Sequence, residues 1–190
     1  YGGANLTVES IVTTDDLKAG EFKLTGQLGD VMMESARIAY SFITANIVRY
    51  GGNKEFLKQS GIHLHVPAGG TPKDGPSAGI TMASSLYSLC LGKSVDGHIG
   101  MTGELTLNGR VLPIGGIQEK TIAAKRVGIK TLIFPLENKG SFVELKDYIK
   151  SGLVVYFTNH YDQVVNILFP GTIGKPSGKL IKLVFKPQKN

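Results

Sequence analysis

Short apolar runs with the alternation of strands, interleaved with helical periodicities that glycine closes, leave this chain few architectures. Leu6, Val8 and Ser10 alternate with Thr7, Glu9 and Ile11, and Phe22 and Leu24 repeat the pattern. Over 30–50, Val31, Ser35, Ile38, Phe42 and Ala45 recur at helical spacing until Gly51-Gly52 stops the helix. The run 62–66, bounded by Gly61 and Pro67, reads as a strand with Ile62, Leu64 and Val66 on one face and His63 and His65 on the other. A Gly/Pro-rich loop (67–76) leads to a helix expected over 77–91, closed by Gly92. A strand near 98–102 follows, then a hairpin turning at Asn108-Gly109 into a strand through Val111 and Leu112. Gly115-Gly116 opens a helix that Gly128 stops. Strands are expected at 131–135 and 153–158, with a short helix at 141–150 between them and a last helix at 160–168. The elements alternate without a strict βαβ rhythm. They predict an α/β fold with a mixed sheet, a single compact domain over 1–169, followed by a basic C-terminal tail at 170–190.

Hydrophobic residues are 42% and charged residues 19% of the 190, which supports a core and excludes a disordered chain. No apolar run approaches the ~18 residues of a membrane span, and no signal-peptide pattern opens the chain. Cys90 is the lone cysteine, which excludes a disulfide framework or a cysteine zinc site and points to a reducing, intracellular setting. The formal charge is +6, and the segment 171–190 holds Lys175, Lys179, Lys182, Lys186 and Lys189 with no acid. The body is therefore nearly neutral, without the basic stripe expected of a nucleic-acid binder, and the tail is expected to be a solvated end.

The chemistry concentrates in 72–79, where Gly75, Ser77 and Gly79 match the Gly-x-Ser-x-Gly pattern of a nucleophilic serine. The ten residues between Val66 and Ser77 do not make the sharp strand-to-helix elbow of an α/β-hydrolase. Pro76 keeps Ser77 at the cap or first turn of the next helix, beside unpaired N–H groups and the positive end of the helix dipole. On these residues two readings stand: a plain N-cap serine, or a nucleophile with the amides of Ser77 and Ala78 as oxyanion donors. A nucleophile needs a base. His63 and His65 have no third partner for a metal, and no metal site is expected; His98 and His160 show no carboxylate at a telling spacing. An esterase of the histidine-assisted kind would need one of these four. Ile117, Lys120, Ala124 and Val127 fall on one helical face, which places a lysine among apolar residues. Its stem packs with the head turned to solvent, or burial lowers its pKa and makes it a general base.

The stretches GTPKDGPSAGI (70–80) and MTGELTLNGRVLPIGGIQEKTIAAKRVGI (101–129), with the strand IHLHVP, closely resemble the proteolytic domain of Lon, the ATP-dependent serine protease. The resemblance covers roughly 2–169. It implies Ser77 as nucleophile and Lys120 as general base of a Ser-Lys dyad. It also implies that Thr102 orients the lysine, and that Asp74 is a loop aspartate able to occupy or block an unassembled site. The fold implied is the Lon-type α/β domain, related to domain two of a small-subunit ribosomal protein. Ala68 and Gly70 depart from the family's usual Glu and Ala, and the segment after Pro170 is longer and more basic than usual. These 190 residues carry no phosphate-loop motif and imply no cofactor of their own. The resemblance places ATP and Mg in an AAA+ domain of the same polypeptide, and implies a homohexamer acting on unfolded proteins, without a membrane. DNA contact by the full-length protein fits the resemblance as well. The alternative is a Lon-like module without protease activity, serving assembly or DNA contact. TIAAKRVGI and FTNHYD look closer to mitochondrial than to bacterial forms, which favours the mitochondrial matrix over a bacterial cytoplasm.

Overall fold

A computed structural model describes residues 5–13, 17–67 and 73–189. Strand β1 (Glu9–Thr13) and strand β2 (Phe22–Thr25) precede helix α1 (Asp30–Asn46), the single helical turn α2 (Phe56–Gln59) and strand β3 (Gly61–His65). Helix α3 (Gly79–Leu91) leads to β4 (Ile99–Met101) and the hairpin β5 (Glu104–Leu105) and β6 (Val111–Leu112). Helix α4 (Ile117–Arg126) and strand β7 (Thr131–Pro135) follow, then a 3₁₀ turn at Leu136–Asn138 and two short helices, α5 (Lys139–Val143) and α6 (Asp147–Lys150). The described residues end with β8 (Val154–Thr158), α7 (Tyr161–Leu168) and β9 (Leu180–Val184).

The expected α/β architecture is present, with the strands divided among two mixed sheets and a hairpin. In the first sheet β3 lies between β1, antiparallel to it, and β2, parallel to it. In the second the order is β4-β7-β8-β9, parallel except for the last pair. The first sheet backs one core, and the second sheet lies between that core and another. Helices α1 and α3 bring Met32, Phe42, Ile43, Ile80 and Leu86 onto Ile62 and Leu64 of β3. On the far side Phe134, Phe142, Val155 and Phe157 form a second cluster with Ile117 and Ala124 of α4. Strand β7 stands between them, with Ile133 in the first cluster and Leu132 and Phe134 in the second. A strand buried on both faces has no polar side, and this explains the unbroken apolar run TLIFP.

Three expectations change. The helix expected over 141–150 is two short helices, and the helix expected from Ser77 begins at Gly79. The segment after Pro170 is not a solvated end. Asn166 holds both the amide and the carbonyl of Ile173, at 2.9 and 2.8 Å. Gln163 donates to the Ser177 carbonyl (2.8 Å), and the Lys179 amide donates to Asn159 Oδ1 (2.6 Å). Strand β9 then completes the second sheet and packs Ile181, Leu183 and Phe185 against the second cluster.

Candidate active site

Pro76 and Ser77 lie just ahead of α3, whose N-cap is Ala78, so Ser77 sits one residue outside the cap. Its carbonyl accepts from the Gly103 amide (2.8 Å) and the Thr102 hydroxyl (3.1 Å). Thr102 itself is bound to β7 through its amide and the Ile133 carbonyl (3.1 Å). The threonine thus fixes the backbone of the serine, whereas the family resemblance implied the lysine as its partner. The amides of Gly79 and Ile80 are taken by the carbonyls of Pro76 and Gly103, both at 3.2 Å. Those of Ser77 and Ala78 have no partner among the described residues and remain as donors beside the serine side chain.

Gly79 allows this approach. A Cβ there would stand 2.8 Å from the Leu105 amide nitrogen and 3.2 Å from Leu105 Cβ. Gly79→Ala in an unobstructed helix would gain about 0.5–1 kcal/mol. Here the clash with backbone is expected to reverse the sign and cost about 1–3 kcal/mol. The urea midpoint of the variant checks this, and a more stable variant would contradict the close packing of α3 on β5.

Lys120 projects from α4 into the same cleft, a groove of about 910 Å³ whose lining includes Ser77, Thr81, Thr102, Lys120, Ala124 and Val127. The face Ile117-Lys120-Ala124-Val127 is therefore one face, as its spacing predicts, but it is split between core and cleft. Ile117 is 8% exposed, whereas Val127, expected in the packing face, is 61% exposed. Lys120 is half-buried on this wall and its Nζ donates to the Gly115 carbonyl at 3.1 Å. Burial lowers its pKa from the ordinary lysine value, and Glu119 opposes that shift. No hydrogen bond joins Lys120 Nζ to Ser77 Oγ; the two residues line the same cleft.

Asp74 is exposed and faces a different element. Its Oδ1 accepts from the Met32 amide (2.9 Å) and the Gly75 amide (2.9 Å), so it caps the first turn of α1 from outside. Gly29, the residue at that cap, leaves no room for a Cβ beside the Asp74 side chain. Lys73 completes the attachment: its amide donates to the Gln27 carbonyl (3.1 Å), its carbonyl accepts from Gly29, and its Nζ donates to the Gly26 carbonyl. The serine-bearing segment is thus anchored to α1 and the residues leading into it at 73–74, and to the residues just after β4 at 77. Residues 68–72, which include the departures Ala68 and Gly70, lie outside the described residues.

None of the four histidines bonds Ser77. His63 and His65 both contact the Thr25 hydroxyl, at 2.7 and 2.6 Å. His98 and His160 do have carboxylates near them, contrary to the sequence reading: Asp96 at 3.0 Å and Asp162 at 3.4 Å. His160 is occupied as the cap of α7 and against the Asn108 carbonyl, and His98 lies on the surface. Burial raises the Cys90 thiol to about 12, which suppresses the thiolate a cysteine nucleophile needs. The sequence reading also missed the groove's far wall. It is formed by Asn5, Val8 and Ser10, with Ser10 Oγ 2.8 Å from Ser85 Oγ and Asn5 Nδ2 donating to the Ala123 carbonyl (2.9 Å). The hydroxyls of Ser77, Thr81, Ser85 and Ser88 line the groove at near-helical spacing, a signal that the sequence carries.

A serine with free amide donors and a half-buried amine thus share one groove, and comparison with known proteins identifies the family. The sequence profile of the Lon protease (S16) C-terminal proteolytic domain matches residues 1–171. Over 169 residues, 89% of this chain, it is 54% identical to a Lon protease of Protochlamydia amoebophila (strain UWE25), covering 20% of that protein. It is 50% identical over 175 residues to the mitochondrial Lon protease homolog of Rattus norvegicus and 49% to that of Homo sapiens, covering 89% of this chain and 18% of each relative. The chain belongs to the Lon proteolytic-domain family. It spans about a fifth of the length of these curated relatives.

Proposed function

We propose that this domain hydrolyses peptide bonds through an acyl-enzyme formed on Ser77. The observation that carries the reading is the shared groove, in which Ser77, two amides without partners and a lysine of lowered pKa converge. Neutral Lys120, released from the Gly115 carbonyl, takes the proton of Ser77 Oγ as that oxygen attacks the scissile carbonyl. The amides of Ser77 and Ala78 receive the developing oxyanion. The Lys120 ammonium then protonates the leaving amine, and the regenerated amine activates the water that releases the acyl group. Thr102 acts on the serine's backbone, and Asp74 acts through the cap it makes on α1. No histidine-assisted esterase is supported, because each ring is committed elsewhere. A non-proteolytic module is disfavoured by a groove that retains both nucleophile and base.

The longer relatives support a wider reading of the whole protein. It degrades unfolded proteins as a homohexamer, with ATP and Mg handled by an AAA+ domain of the same polypeptide. No helix among the described residues is long and apolar enough to cross a membrane. Relatives occur in bacteria and mitochondria, and TIAAKRVGI and FTNHYD favour the mitochondrial matrix.

A peptide boronate tests the nucleophile directly. It is expected to add to Ser77 Oγ, with the adduct mapped by mass spectrometry, and to leave Ser77→Ala unlabelled. An adduct on any other residue assigns the nucleophile elsewhere.

A further inference from the structure

The family profile ends at residue 171, and β9 lies beyond it. This strand is the outer member of its sheet. The Phe185 amide donates to the Leu153 carbonyl (2.8 Å), and the Phe185 carbonyl accepts from Gly152 (3.0 Å). Ile181, Leu183 and Phe185 therefore direct their main-chain groups to β8 and their side chains to the core. Antiparallel alternation turns the N–H and C=O groups of Leu180, Lys182 and Val184 outward, where no described residue pairs with them. The side chains of these three share the other face. Leu180 is 44% exposed and Val184 63%, and Lys182 between them reaches over the Tyr156 ring at 5.5 Å.

We propose that this free edge is a docking surface for an extended segment of a partner polypeptide, added as a further strand. The register specifies its chemistry. Residues opposite Leu180, Lys182 and Val184 fall two apart on one face, so the segment reads apolar-x-acidic-x-apolar. The surroundings select the same sign of charge: Lys175, Lys179, Lys186 and Lys189 are all exposed, and 171–190 contains no acid. A second copy of this chain is a poor occupant. Antiparallel pairing centred on Lys182 would set lysine against lysine, the device by which edge strands avoid pairing with themselves. A nucleic acid would use the lysines but leave Leu180, Val184 and the outward main chain without a role. The acidic strand uses all three features, as peptides that extend a sheet commonly do. The edge lies three strands away from β4, so a bound segment leaves the groove open.

The test is fluorescence anisotropy of a labelled peptide containing Thr-Val-Thr-Glu-Thr-Val-Thr, titrated with the full 190-residue chain. Saturable binding is expected. Lys182→Glu, checked as folded by circular dichroism, should weaken it by about tenfold, the change from attraction to repulsion of one cross-strand pair. That variant should instead prefer the peptide with lysine in place of glutamate. N-methylation of one alternate set of peptide amides should abolish binding, and of the other set should spare it. Four results would overturn the proposal: no saturable binding, equal binding of a scrambled peptide, equal loss for both N-methylated sets, or a single-stranded oligonucleotide displacing the peptide at lower concentration than unlabelled peptide does.

Discussion

Lys120→Met is expected to lower peptide hydrolysis by about 10²–10⁴-fold, the range of a lost general base, while leaving the protein as stable as before or more so. The two halves of the result follow from one fact. Burial depresses the Lys120 pKa, so the amine is more easily neutral in the folded protein than in the unfolded chain. Between the folded and unfolded pKa values the unfolded chain holds the extra proton, and stability rises with pH through that window. Below the folded pKa the native state carries a charge that its half-buried position disfavours. Methionine, of similar length and apolar, removes that penalty and loses the hydrogen bond to the Gly115 carbonyl and the weaker attraction of Glu119. Wild-type activity should rise with pH as the folded lysine deprotonates, a limb that Lys120→Met lacks. A peptidase assay across pH, paired with urea melts near neutrality, measures both. Retained activity would remove Lys120 from the mechanism. Joint loss of activity and several kcal/mol of stability would make it a structural cation.

The sequence carries this site well because its parts are local. Pro76 confines Ser77 to the approach of α3, and helical spacing puts Lys120 on the face of Ala124. The spacing does not reveal what that face meets. Ile117 and Ala124 reach the second core, but Lys120 and Val127 meet the groove, because the far wall comes from residues 5–10. Nor does it reveal the cap that Asp74 makes on α1, since that contact joins positions 42 residues apart. Strand β9 was hidden differently. Ile181, Leu183 and Phe185 alternate as a strand should, but Lys179, Lys182 and Lys186 dominate any count of charge. The strand needs only one apolar face, which it packs on the core, while the lysines remain in water.

Asp162 sets the largest stability effect, and it too was illegible, because its partners come from distant parts of the chain. The carboxylate is 0% exposed. It accepts from Arg49 Nη1 and Nη2 at 2.9 and 2.6 Å, the Tyr50 hydroxyl at 2.7 Å and the Ser177 amide at 2.9 Å. It thus ties the end of α1 and the start of α7 to the segment that leads into β9. Burial alone would raise its pKa; the Arg49 guanidinium, the Ser177 amide and the Tyr50 hydroxyl outweigh burial and hold it well below the usual carboxylate range. Asp162→Ala leaves the buried Tyr50 hydroxyl and the Ser177 amide without their acceptor. Arg49, 46% exposed, recovers part of its solvation, which places the expected cost near the lower end of the range for breaking a buried pair, about 3 kcal/mol. The pH dependence gives a second readout. A depressed folded pKa supplies stability that is fully present above the unfolded value of ~3.9 and is lost as pH falls below it toward the folded value. Wild-type stability should fall on acidification through that window, and Asp162→Ala should fall less. Urea melts at neutral pH and near pH 3 compare the two. A cost below about 1 kcal/mol, or an unchanged acid slope, would show that the Arg49 pair contributes little and that Asp162 is not what holds the segment leading into β9.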